Sequence, residues 1–143
     1  MTKKHAKDYA IKHSGKRINK KAEKIIKQKS KDEKITCKSL HIAAKEIGIT
    51  PSDAGIQIDL MGLKLIECQL GVFGYLPNGK ILKKEIKFSK QVEKIIEKNT
   101  QDGKIICKKC WEIANNLKMK KLDISSIANI KNIKIKNCQL GAY

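Results

Sequence analysis

Residues 18–71 and 88–141 of the chain align with each other at a constant offset of 70 positions, without a gap. Glu23-Lys24-Ile25-Ile26 recurs as Glu93-Lys94-Ile95-Ile96, Asp32 as Asp102, Lys34-Ile35 as Lys104-Ile105, Cys37-Lys38 as Cys107-Lys108, Ala44 as Ala114 and Asp53 as Asp123. Both copies close on the string CQLG, at Cys68–Gly71 and Cys138–Gly141. The chain must therefore solve one folding problem twice, with a unit of roughly 55 residues that is just large enough to sustain a core.

A core position in a duplicated unit should be apolar in both copies, which sharpens the reading of each element. Ile18, Ala22, Ile25 and Ile26 match Phe88, Val92, Ile95 and Ile96, the stripe of an amphipathic helix, with Asn19 and Ser89 as N-caps. A break at Asp32/Asp102 leads to a short extended piece, Ile35-Thr36-Cys37 or Ile105-Ile106-Cys107. A second helical stripe follows at Leu40, Ala43, Ala44 and Ile47, matched by Cys110, Ile113, Ala114 and Leu117. In copy one, Gly48 ends that helix and Thr50-Pro51-Ser52-Asp53 starts another, with Thr50 as N-cap and Pro51 at the first helical position. Copy two lacks the Gly, the Pro and the Thr cap, and Asp123 is expected to cap a slightly shorter helix. Leu63-Lys64-Leu65 and Ile133-Lys134-Ile135 alternate as half-buried strands, and the apolar phase then slips, which predicts a bulge or turn near Ile66-Glu67 and Lys136-Asn137.

The order per copy is helix, strand, helix, turn, helix, strand, an α+β and mainly helical class. It resembles the winged helix-turn-helix, with the small residue Ala44 inside the second helix and Gly48 at the turn. The unit ending in CQLG also resembles small uncharacterised prokaryotic proteins built from such units. The resemblance implies two tandem winged-helix-like domains over residues 17–76 and 88–143, in which the third helix enters a major groove and the terminal strand opens the wing. Residues 77–87 form a linker or wing hairpin, because Asn78-Gly79 is a type I′ turn signal with Ile81-Leu82 and Ile86 following. Residues 1–16 read as a basic N-terminal arm.

Charge points to a partner. The chain carries 32 Lys+Arg against 14 Asp+Glu, a formal net charge of +18, and only Arg17 among the cations is an arginine. Codon bias explains the choice of lysine better than the excess of cations, so a polyanion, nucleic acid ahead of a membrane surface, is the expected partner. No apolar run approaches the ~18 residues of a membrane span, and the basic start lacks the apolar core of a secretory signal, so a cytoplasmic location is expected.

The five cysteines prompt a metal reading, through Cys107-x2-Cys110 with Cys138, or Cys37 with His41 and Cys68. The repeat argues against it: Cys110 aligns with Leu40 and His41 with Trp111, so neither copy offers four ligands. The repeated pairs Cys37/Cys68 and Cys107/Cys138 are read as core residues, a redox pair being the alternative. No nucleophile elbow, H-E-x-x-H or P-loop pattern is present, so no catalytic residue, cofactor or metal is assigned and the chain is expected not to be an enzyme.

The sequence thus predicts a non-enzymatic protein that binds double-stranded DNA and is expected to act as a small transcriptional regulator. The expected contacts lie on the third helices, with Thr50, Ser52 and Gln57 in copy one, flanked by Asp53 and Asp59, and Lys120, Lys121, Ser125, Ser126, Asn129 and Lys131 in copy two. Lys3, Lys4, Lys16 and Arg17 add phosphate contacts from the arm. Aromatic residues make up 4% of the chain with no paired Phe/Tyr platform, which weighs against single-strand recognition by stacking. The alternative is a protein-interaction module of the same fold, in which the acidic third helix of copy one docks a protein partner and no nucleic acid is touched.

Overall fold

The computed structural model describes residues 17–75 and 79–143. Among the described residues, six helices and four three-residue strands run in the order α1 (Lys20–Lys29), β1 (Lys34–Thr36), α2 (Cys37–Ile47), α3 (Pro51–Met61), β2 (Lys64–Ile66), α4 (Lys90–Lys98), β3 (Lys104–Ile106), α5 (Cys107–Leu117), α6 (Lys121–Ile130), β4 (Lys134–Lys136). The second five elements start 70 residues after the first five, each at its equivalent residue, so the fold is α+β, mainly helical, and laid out twice in one register.

The described residues divide into two compact units, one of residues 17–68 with Leu140–Ala142, the other of Gln69–Gln139 with Tyr143. The segment that completes each unit is therefore the end of the other sequence copy. In unit 1, α1 and α3 pack on α2, burying Ala22, Ile26, Leu40, Ala43, Ala44, Ala54 and Ile58. In unit 2, α4, α5 and α6 repeat the arrangement around Ile96, Cys110, Ile113, Ala114, Ile124 and Ile127. Each isoleucine taken fully out of water stabilises its unit by about 1.5–3 kcal/mol. Ile18, expected in the first stripe, stays 40% exposed because the helix starts only at Lys20, behind the Asn19 cap.

The strands pair in parallel, Lys34–Thr36 against Lys64–Ile66 and Lys104–Ile106 against Lys134–Lys136. Each pair is thus joined by a helix-turn-helix crossover, α2–α3 or α5–α6. A wing requires an antiparallel hairpin after the third helix. Among the described residues, Ile81, Leu82 and Ile86 form no ladder with β2. Tyr75 and Gly79 instead form an isolated antiparallel bridge with each other, and Asn78 lies outside the described residues.

The backbone carries its own record of the duplication. Positive φ recurs at Asp32/Asp102, Glu33/Gly103, Gly48/Lys118, Gly62/Asn132, Glu67/Asn137 and Gly71/Gly141. The phase slip after β2 and β4 is the left-handed residue Glu67 or Asn137, at φ 51° and 52°. At the end of the second helix, Gly48 adopts φ 85° and Lys118 φ 54°, so copy two holds the same cap with a side chain that disfavours it. Asp123 does not shorten α6 at its start. The helix begins at Lys121, the equivalent of Pro51, and Lys120 occupies the cap position without a side-chain bond.

Candidate nucleic-acid interface

Several residues expected to face a base edge are committed elsewhere. Ser125 and Ser126 are fully buried. The Ser125 hydroxyl donates to the Leu70 carbonyl, with the Leu122 carbonyl 3.0 Å away, and the Ser126 oxygen accepts from the Lys83 backbone N–H at 3.0 Å. The cause is the segment that follows Gln69: it lies along α6 through Leu70 and Lys83 and, together with the unit core, buries five consecutive positions, Ile124–Ala128. A helix covered on that much of its circumference cannot lie in a groove with those side chains leading, so Ser125 and Ser126 are corrected from base-reading to structural residues.

Lys131 is likewise engaged. Its ammonium meets Glu93 and lies 2.9 Å from Glu97, and the hydrogen bonds to Glu93 first, then Glu97, hold its pKa above the ordinary lysine value. Lys121 places its ammonium 4.7 Å from the centre of the Trp111 ring, a cation–π contact. Lys120 and Asn129 are exposed. In unit 1, Thr50 is exposed but its hydroxyl accepts from Asp53 N–H at 3.1 Å, as the N-cap chemistry requires. Gln57 is half-buried and ties down the start of α1: its oxygen accepts from Asn19 N–H at 2.8 Å and its amide donates to the Arg17 carbonyl at 3.2 Å. Ser52 and Arg17 are exposed, while Lys3, Lys4 and Lys16 lie outside the described residues.

What the two units do share is a set of lysines. Outside the apolar stripes, the same offset leaves Lys20/Lys90, Lys24/Lys94, Lys34/Lys104, Lys38/Lys108 and Lys64/Lys134 unchanged, all of them exposed except the half-buried Lys64. The sequence held this signal, but a search for the core looks past it. Three of these positions are electrostatically unfavourable for the fold. Lys34 stands directly opposite Lys64 in the parallel register, and Lys104 opposite Lys134; like charges in such pairs cost stability. Lys38 and Lys108 occupy the first turn of α2 and α5, the end of a helix that favours negative charge. No ion pair is formed by these six lysines among the described residues.

Among the described residues no three His, Cys, Asp or Glu side chains come together as a metal site, and no disulfide joins the cysteines. Cys37, Cys68, Cys107 and Cys110 are buried, and the Gln139 amide donates to the Cys107 sulfur at 3.7 Å. No described helix is long and apolar enough to cross a membrane. Comparison with known proteins finds no match: no family model covers the chain, and no curated protein or solved structure is similar to it.

Proposed function

We propose that the protein is a non-enzymatic, cytoplasmic binder of double-stranded DNA, a small regulator whose units grip the phosphate backbone through repeated lysines. The observation that carries this reading is the retention, in both units, of positive charge where the fold disfavours it: across the parallel strand pair and in the first turn of the helix after β1. A fold under no other constraint would lose such charges, whereas a polyanion turns the cost into affinity. The order of helices supports a winged-helix-like description of each unit, with α2–α3 and α5–α6 as the helix-turn-helix pairs, but α6 serves as a core helix and contacts are assigned to the strand-borne lysines instead. Phosphate contacts of this kind position a protein on a duplex without reading its sequence.

The test is fluorescence anisotropy with a random-sequence duplex of about 20 base pairs at several salt concentrations. Affinity should fall steeply with salt, by about 0.9 log units per log unit for each phosphate contacted. The double variant Lys34→Gln/Lys64→Gln should flatten that slope by up to two contacts, as should Lys104→Gln/Lys134→Gln. If the intact chain fails to bind duplex even at low salt, the proposal falls and the protein-interaction reading replaces it.

A further inference from the structure

Unit 2 contains a cavity of about 470 Å³ whose lining includes Phe73, Tyr143, Lys80, Lys134, Asn129 and Asn132, set among aliphatic walls. We infer that this cavity is a binding site for a single nucleotide, a planar base joined to a phosphate. Phe73 and Tyr143 meet edge to face with ring centres 5.8 Å apart, so two aromatic rings do pair in this chain and offer the faces they do not turn to each other. The two rings are themselves repeat-equivalent, 70 residues apart and each two residues beyond the last glycine of CQLG. Aromatic faces accept any nucleobase by stacking. Asn129 and Asn132 each present a donor and an acceptor on one carboxamide, the pairing that base edges require.

Charge selects the rest of the ligand. Lys80 and Lys134 bring two ammonium groups to the cavity, and among the described residues no Asp or Glu lines it. An uncharged aromatic would leave those cations unanswered, and a bare phosphate would leave the rings and aliphatic walls in water. The volume lies within the range of small-ligand pockets and excludes a duplex, so the occupant is one nucleotide, either free or unpaired within a strand. The unit 1 residues equivalent to Asn129 and Asn132 are Asp59 and Gly62, a carboxylate that repels phosphate and a residue with no side chain. The site is therefore assigned to unit 2 alone, and it does not rest on the duplex-binding proposal.

Calorimetric titration of the full chain with adenosine monophosphate, adenosine and inorganic phosphate tests it. The mononucleotide should bind more tightly than either fragment. Lys134→Gln should weaken the mononucleotide about tenfold, as loss of one charge-assisted hydrogen bond does, and leave adenosine unchanged. Tyr143→Leu should weaken both by about fivefold or more through lost stacking, while Lys45→Gln, an exposed position outside the cavity, should change neither. Competition by a short single-stranded oligonucleotide distinguishes the sources: displacement of the mononucleotide points to an unpaired nucleotide in a strand, and no displacement to a free one. The inference is overturned if phosphate binds as tightly as the mononucleotide, if no mononucleotide binding is seen at millimolar concentration, or if Lys134→Gln and Tyr143→Leu leave the mononucleotide affinity intact. Duplex binding that is unchanged in Tyr143→Leu separates failure here from failure of the duplex reading.

Discussion

The third helices α3 and α6 occupy the same place in their units and are covered in two different ways. On α6, Ser125 donates to the carbonyl of Leu70. On α3, the equivalent residue is Gly55, and the equivalent carbonyl, that of Leu140, approaches so closely that a Cβ on Gly55 would fall 1.8 Å from its oxygen. One unit satisfies the incoming carbonyl with a hydroxyl; the other admits it against bare backbone. Two copies of one sequence can thus keep a fold and a docking partner while the contact chemistry drifts, provided that each change is matched locally.

The strongest way to break the comparison is to charge what both units share. Ala44 and Ala114 are 2% and 1% exposed on the inner face of the second helix, so Ala44→Asp and Ala114→Asp should each cost on the order of 4 kcal/mol or more and abolish a cooperative melt in circular dichroism. Unchanged melting would mean that the stripe is not core. Next comes Gly55→Ser, which gives unit 1 the residue of unit 2. The added Cβ collides with backbone rather than with a movable side chain, so a loss of about 3 kcal/mol is expected, together with faster amide exchange at Leu140–Ala142. The reciprocal Ser125→Gly removes one hydrogen bond and adds a helical glycine, about 1–2 kcal/mol. Equal losses for the two exchanges would erase the distinction drawn between the covers.

A smaller effect with the opposite sign belongs to the left-handed cap. Lys118→Gly restores what Gly48 already provides and should stabilise unit 2 by about 0.5–1 kcal/mol in chemical denaturation. The smallest concerns Lys131, whose ion pairs have no counterpart in unit 1: Met61 stands at its position, Lys27 at that of Glu97, and Glu23, the equivalent of Glu93, pairs within its own helix with Lys27. Because Lys131 titrates above the ordinary lysine value of 10.5 in the folded chain, its stabilisation is fully present below that value and is lost as pH rises through the higher folded-state pKa. The melting difference between the intact chain and Lys131→Gln should therefore be steady from neutral pH to about 10 and shrink above it. A difference that persists unchanged in strong base would mean that packing, and not charge, holds Lys131.

The element order was legible because helices and caps are encoded locally: Asn19, Ser89 and Thr50 each accept the N–H bond expected of them. Strand existence was legible from alternation, but parallel pairing was not, since a three-residue strand carries no mark of its partner's direction. Ser125 and Ser126 misled because small polar residues on a helix look solvent-facing when the cover arrives from a distant segment. A subtler signal was present: α6 has no charged residue after Asp123, in a chain that is 32% charged, which is how a buried helix reads. Phe73 and Tyr143 were hidden for a different reason, because their significance lies in meeting each other across 70 residues of sequence.

The completion of unit 1 by Leu140–Ala142 also bears on how the protein is made. Helix α1 begins at Lys20, yet the residues that close over Gly55 are synthesised some 120 positions later. During translation, the first unit to emerge is the one that must wait, with the face around Gly55 uncovered while the second half of the chain is produced. Long-range closure of this kind slows folding relative to local contacts, and chains usually complete their N-terminal parts first. A polypeptide stalled between the two CQLG strings would carry all the helices of unit 1 and still lack its last piece, so ribosome-bound intermediates of this protein should be open to proteases at a site that is closed in the released chain.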